Sequence, residues 1–293
     1  MITTWLQPLP HGITLSCRAA GERGRPVLLF LHGFPEAAFV WDELLLHFSH
    51  PAHGGYRCVA PNLRGFERSS QPADAAAYRP RQLVQDIAAL VAAEGAPLAA
   101  LVAHDWGGAL AWNLANQQPA LMRRLAIVNA PHPGTFLREL KGNPRQQEAS
   151  AYMNFLARPD AAAILREDGY RRLFGFFGAA PWLTEAVKQQ YRAVWDASLE
   201  GGCNYYRASP LRPPHGDDPG AAALTLPPEM LKVDVPTLVL WALDDVALLP
   251  ELVDGLDAYV PDLRLEKVPG ATHWIVHERP AFVAQRLEAF LRS

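Results

Sequence analysis

The chain has 293 residues, of which 49% are hydrophobic and 19% charged. That is ordinary for a soluble globular enzyme, with room for one large α/β domain or a domain carrying a sizeable insertion. The formal net charge of -3 comes with no basic stripe or long charge run, which removes support for a nucleic-acid or anionic-membrane role.

Cys17, Cys58 and Cys203 are far apart and odd in number. They form neither a disulfide framework nor a metal-ligand spacing, and free thiols in a reducing compartment are expected. Met1 to Leu9 offers no positive n-region and no long apolar stretch, so no signal peptide is read there. No apolar run reaches the roughly 18 residues of a membrane span. A cytoplasmic protein without membrane insertion is the expectation.

In chain order, residues 12–20 read as a strand and 21–25 as a turn. Residues 27–31 form a continuous apolar run ending at His32-Gly33, as suits a strand covered on both faces. A short helix follows at 41–48, a strand at 57–60 and a loop at 61–71. Leu83, Val84, Ile87, Leu90 and Val91 have helical spacing within 80–93. A buried strand at 98–103, a helix at 107–117 and a strand at 125–128 come next. Two more strands are expected at 237–241 and 263–268, with helices at 250–259 and 279–291. Strands alternating with helices predict a mainly parallel, doubly wound α/β sheet.

Residues 131–228 interrupt this alternation. Their composition is helical over 149–156, 161–174 and 183–199, and they end in a Pro-, Gly- and Asp-rich loop at 210–220. The reading is a helical cap between two parts of one core, 1–130 and 229–293. The alternative is a second domain beside the core with no role in the site.

The central motif is Leu101-Val102-Ala103-His104-Asp105-Trp106-Gly107-Gly108. A buried strand runs straight into a helix, and small residues two before and two after Asp105 permit a very sharp turn. The apex side chain is forced outward at the C-terminal edge of the sheet, where open α/β sheets bind ligands. A carboxylate at this apex needs no proton removed before it attacks, and it forms an ester by displacing a leaving group from an sp³ carbon. That selects epoxides or alkyl halides over ordinary esters and amides. The plain alternative is an Asp capping the next helix.

His32-Gly33-Phe34-Pro35-Glu36 follows another buried strand. The Phe34 N–H and the Trp106 N–H would together make a two-donor oxyanion hole. Gly270-Ala271-Thr272-His273-Trp274 follows the last strand, and His273 is the candidate general base that activates water. His277 is the weaker choice, while His32 and His104 are expected to be hydrogen-bonded framework. The acid behind His273 must come from Asp244-Asp245. Asp245 is preferred because the loop must extend before reaching the histidine, with Asp244 the alternative. Asn129, ending the preceding core strand, is no acid.

Together these segments resemble the epoxide hydrolases of the α/β-hydrolase superfamily, in the same order and over nearly the whole chain. Ala103 and Ala242 depart from it, standing where that family often has Gly. The resemblance implies two cap tyrosines that donate hydrogen bonds to the epoxide oxygen. Tyr152, in Ser150-Ala151-Tyr152-Met153-Asn154-Phe155, looks like the first. Tyr206, in Asn204-Tyr205-Tyr206-Arg207, looks like the second, with Tyr205 its confounder. The resemblance implies a small apolar epoxide as partner, a vicinal diol as product, and no metal or organic cofactor. It leaves room for a homodimer without requiring one. Phe155, Phe174, Phe176, Phe177 and Trp182 suggest an apolar pocket.

Haloalkane dehalogenases share the Asp–Trp elbow but usually carry an Asn-type side chain where this chain has Phe34. Fluoroacetate dehalogenases share the His-Gly-Phe-Pro loop but use arginines near the elbow, where this chain has Trp106, Gly107 and Gly108. A non-catalytic ligand-binding protein built on the same fold is the reading outside enzymes.

Overall fold

A computed structural model describes residues 1–293. The chain starts with β1 (Thr3–Pro8), β2 (Thr14–Ala20) and β3 (Val27–Leu31), then α1 (Asp42–Ser49), β4 (Arg57–Pro61) and α2 (Pro80–Glu94). Next are β5 (Ala100–His104), α3 (Asp105–Gln117) and β6 (Leu125–Val128). Five helices come before the next strand: α4 (Pro133–Gly142), α5 (Pro144–Ala149), α6 (Tyr152–Leu156), α7 (Ala161–Phe176) and α8 (Glu185–Ala208). The chain closes with β7 (Thr237–Ala242), β8 (Leu263–Val268), α9 (Ile275–Glu278) and α10 (Pro280–Arg292).

The eight strands form one sheet in the order β1-β2-β4-β3-β5-β6-β7-β8. β2 runs antiparallel to β1 and β4, and every pairing from β4 to β8 is parallel. Parallel strands covered by helices on both faces are buried throughout, and every residue of β3, β4, β5, β6 and β7 is buried. This explains why they read as mainly apolar runs. Since these strands point the same way, the loops after β3, β5, β6, β7 and β8 gather at one edge of the sheet. No helix is long and apolar enough to cross a membrane.

Four expectations need correction. β1 is a strand that the sequence pattern did not reveal. Its backbone pairs with β2 from Thr3↔Ala19 to Pro8↔Thr14, but none of its side chains is fully buried, so burial imposes no apolar run on it. The helix expected over 250–259 is two short 3₁₀ turns, Pro250–Val253 and Leu256–Ala258. Gly255 between them has φ of 73°, in the left-handed region that breaks a helix. α7 is interrupted at Glu167–Tyr170, where Asp168, Gly169 and Tyr170 take positive φ.

The helix expected to end at Leu199 runs on to Ala208 as α8. Gly201 and Gly202 look like a stop signal because glycine costs about 1 kcal/mol in a helix interior. Both are required by packing instead. A Cβ on Gly201 would collide with the backbone of Gly65, and one on Gly202 would come 2.8 Å from the Phe34 ring. α8 therefore lies against the loops that follow β3 and β4, and it carries Tyr205 and Tyr206 to that edge of the sheet.

Candidate active site

β5 enters α3 without an intervening loop, and Asp105 is the first helical residue. Its φ is 49°, a left-handed conformation that non-glycine residues seldom adopt. The close packing of the turn maintains it. A Cβ on Gly107 would come 2.5 Å from the Leu31 carbonyl oxygen and 2.6 Å from that of His32. A Cβ on Gly33 would collide with the Asp105 side chain itself. Helix and first loop can approach this closely only because both positions lack side chains.

The Asp105 carboxylate projects into a cavity at the C-terminal edge of β5. Its Oδ1 accepts a hydrogen bond from the Phe34 N–H at 2.7 Å. Trp106 is the next residue of α3, and the first amides of a helix have no intrahelical carbonyl to serve. Its N–H is thus left without an intrahelical acceptor. The Phe34–Pro35 peptide bond is cis.

His273 comes from the loop after β8. Nε2 lies 3.7 Å from Asp105 Oδ2, and Nδ1 lies 2.6 Å from Asp245 Oδ2. Asp245 is buried, and its Oδ1 accepts from the Ala247 and Leu248 N–H groups at 2.9 and 3.0 Å. Asp244 is exposed and offers its N–H to the Ala271 carbonyl, away from the imidazole. Asp105, His273 and Asp245 thus lie in a line, and the geometry separates the two adjacent aspartates that sequence left as alternatives.

Burial is the largest influence on His273 and opposes its protonation. The charge and hydrogen bond of Asp245 outweigh it, helped by the charges of Asp105 and Glu36, and raise the imidazole to about 9. Burial likewise pushes Asp245 upward, but His273, the Asn129 amide and the Ala247 N–H prevail and hold it below its ordinary value.

Tyr152 on α6 and Tyr206 on α8 face Asp105 across the cavity, with ring centroids 6.1 Å apart. Burial, and then the nearby charge of Asp105, push the Tyr152 phenol up. Tyr206 is raised well above its ordinary value by burial first, then by Tyr152 and Asp105. Both are therefore neutral donors. The neighbouring Tyr205 is already occupied, since its hydroxyl donates to the Arg64 carbonyl at 2.8 Å. One cavity of about 80 Å³ and another of about 250 Å³ meet at Asp105, Tyr152 and Tyr206. Phe136, Met153 and Leu211 line the first, while Phe176 and Trp274 line the second. Of the aromatics expected to form a pocket, Phe176 lines a cavity, whereas Phe177 packs into the core against Trp274 at 4.5 Å between centroids.

His32 and His104 are framework, as their positions suggested. His32 contacts the Gly33 carbonyl and the Leu63 N–H, and His104 Nε2 contacts the His273 carbonyl at 2.9 Å. Two residues gain roles that sequence reasoning missed. Asn129 was noted only as no acid, yet its amide donates to Asp245 Oδ2 at 2.8 Å and its Oδ1 accepts from the Ala242 N–H. Its φ of 42° places it at a tight turn after β6, and a polar residue ending a core strand was the available signal. Glu36 is buried and meets His277 at 2.6 Å, Tyr191 at 2.9 Å and His104 at 3.2 Å. Burial pushes Glu36 upward, but His277 and His104 hold it well below the usual carboxylate range. Its partners come from β5, α8 and α9, so no local pattern could reveal them.

A family described as the alpha/beta hydrolase fold matches residues 26–280. Epoxide hydrolase 3 of Xenopus tropicalis is 33% identical over 96% of this chain and 76% of its own length. An AB hydrolase superfamily protein of Bacillus subtilis is 32% identical over 97% of this chain and 96% of its own. Among solved structures, one from work on novel epoxide hydrolases in metagenomes from hot environments superposes with a TM-score of 0.88 at 37% identity, covering 99% of each chain. A Bacillus megaterium epoxide hydrolase in complex with an inhibitor superposes with a TM-score of 0.89 at 28% identity, over 99% of this chain and all of the other.

Proposed function

The chain belongs to the epoxide hydrolases of the α/β-hydrolase superfamily, and on that premise we propose that it converts an epoxide to a vicinal diol through a covalent ester on Asp105. The observation that carries this reading is a carboxylate at the turn apex facing two neutral phenols across one cavity. Residues 131–228 then act as a cap whose helices α6 and α8 supply those phenols.

The chemistry has two steps. Asp105 Oδ1 is engaged by the Phe34 N–H, leaving Oδ2 as the attacking atom. Oδ2 displaces the oxygen from one ring carbon, and that oxygen develops alkoxide charge. Tyr152 and Tyr206 donate hydrogen bonds to it, acting where charge appears in the transition state. The ester formed no longer carries the Asp105 charge that helped raise His273. The imidazole pKa falls, and the proton it releases balances the one the alkoxide gains.

His273 is then neutral and serves as base. Nε2 removes a proton from water, which attacks the Asp105 ester carbon. The Phe34 and Trp106 N–H groups hold the oxyanion, and Asp245 fixes the imidazole tautomer. Collapse of the tetrahedral intermediate restores Asp105 and releases the diol. An alkyl halide could use the same nucleophile, but two phenols aimed at a leaving oxygen favour the epoxide.

The steps separate under mutation. Asp105 needs no base to attack, whereas its ester needs activated water to leave. Incubating His273→Gln with an aryl epoxide should add one substrate mass to the intact protein, mapped to the peptide holding Asp105. Asp105→Ala should show no gain. An adduct on another residue, or normal turnover by His273→Gln, would refute the mechanism.

A further inference from the structure

Outside the catalytic cavity, three ligand-type side chains converge from distant parts of the chain. His47 lies on α1, His53 ends the single turn Pro51–His53, and Glu288 lies on α10. His47 Nε2 is 2.7 Å from Glu288 Oε1, and His53 Nδ1 is 2.6 Å from the same oxygen. The two imidazoles stack with centroids 3.8 Å apart. The three ligand atoms all lie within 4.8 Å of one another. The side chains are 29%, 37% and 20% exposed, so an ion can reach them while the stacked rings stay ordered. Arg292 Nη2 sits 3.2 Å from the other Glu288 oxygen and orients the carboxylate. The catalytic machinery uses none of these groups.

We propose that His47, His53 and Glu288 form a binding site for one divalent transition-metal ion, with zinc the best match. Two imidazole nitrogens and one carboxylate oxygen are a borderline-soft donor set that suits zinc, and hard cations such as magnesium and calcium prefer oxygen ligands alone. Around a tetrahedral zinc with bonds of about 2.1 Å, ligand atoms stand about 3.4 Å apart. The present contacts need to open by less than about 1 Å for the ion to enter, within the reach of small side-chain rotations. Each ring turns a lone pair inward by carrying its N–H on the outer nitrogen, a tautomer neutral histidine adopts freely. The fourth position opens onto a surface cleft also lined by Glu43, one helical turn before His47. Water or Glu43 completes the shell there.

The consequence is a clamp. His47 and Glu288 are 241 residues apart, so an ion bridging them pins α10 to α1 and closes most of the chain into one loop. An ion that binds only the folded chain stabilises it by mass action.

The test uses the untagged full chain, stripped of metal and titrated separately with zinc, cobalt and magnesium. One zinc per chain should bind by calorimetry. At a hundredfold excess over Kd, Tm should rise by about 5 °C, the scale expected for a site that binds only the folded state. Cobalt should give visible d–d absorption typical of four or five ligands, and magnesium should give neither effect. His47→Gln, His53→Gln and Glu288→Gln should each lose the zinc-induced shift, while His215→Gln, in a distant loop, should keep it. Circular dichroism checks that the variants fold, and their metal-free epoxide turnover should match the parent. A zinc-induced shift retained by both histidine variants, or no zinc binding to the parent, would overturn the proposal.

Discussion

Oδ1 of Asp105 rests on the Phe34 N–H while Oδ2 faces Nε2 of His273 at 3.7 Å, so two oxygens of one side chain stand in different surroundings. The same division holds between two adjacent tyrosines. Tyr205 spends its hydroxyl on the Arg64 carbonyl at 2.8 Å, whereas Tyr206 lines the cavity together with Tyr152 and Asp105. Tyr152→Phe and Tyr206→Phe should therefore each slow ester formation on epoxides by about ten- to a thousandfold, the cost of removing one transition-state donor. Single-turnover kinetics would show it. Tyr205→Phe should leave the alkylation rate within a few-fold and lower stability instead, by about 1 to 3 kcal/mol, because a buried carbonyl loses its donor. Full activity in both Tyr152→Phe and Tyr206→Phe would remove the assigned donors. At this scale the sequence marked the candidate site through residues at turns, and the fold brings three of them, Asp105, His273 and Asp245, together. Asn129 and Glu36 were not marked, because each acts through partners that only the fold brings near.

Helix α8 shows where local propensity misleads. Composition reads as helical only as far as Leu199, just before two consecutive glycines, yet the helix continues to Ala208. Those glycines mark a close approach. Gly201 lies against the Gly65 backbone, which has no side chain to swing away, and Gly202 against the Phe34 ring. β1 was invisible for the opposite reason, since an edge strand with no fully buried side chain leaves little trace in side-chain pattern. The parallel core strands were legible because burial on both faces forces them to be apolar. A contrast between two helical glycines tests the packing argument. Gly201→Ala gains about 1 kcal/mol of helix propensity but must displace backbone, so the net effect should be destabilisation by about 1 to 3 kcal/mol, the usual cost of overpacking. Gly175→Ala on α7, with nothing within 4 Å of its new Cβ, should be neutral or stabilising. Urea midpoints measured together would decide it, and equal effects of the two substitutions would contradict the account of α8.

At the scale of the whole molecule, buried histidines of opposite character set the dependence of stability on pH. Burial pushes both His32 and His132 down to about 4. An unfolded chain protonates these rings near pH 6.5, so between about 6.5 and 4 the unfolded state binds more protons and stability falls with falling pH. His273 behaves oppositely. Burial opposes its charge, but Asp245 and the other nearby carboxylates raise it to about 9. Between about 6.5 and 9 the folded state binds more protons, so its contribution is complete below about pH 6.5 and is lost as pH rises through 9. Asp245 and Glu36, both held below their ordinary values, add stability that is present above about pH 4 and lost below it. The expected profile is a dome with its maximum near pH 6.5, each histidine contributing on the order of 3 kcal/mol at most. The acid limb should be the steeper, because two rings act there and one on the alkaline side. Urea midpoints at pH 5, 6.5 and 8.5 would trace it. His273→Gln should flatten the alkaline limb and leave the acid limb in place, since the charge responsible has been removed from one side only. Stability that kept rising from pH 6.5 to 9 in the parent chain would show that His273 is not held as an imidazolium between its carboxylates in the resting protein.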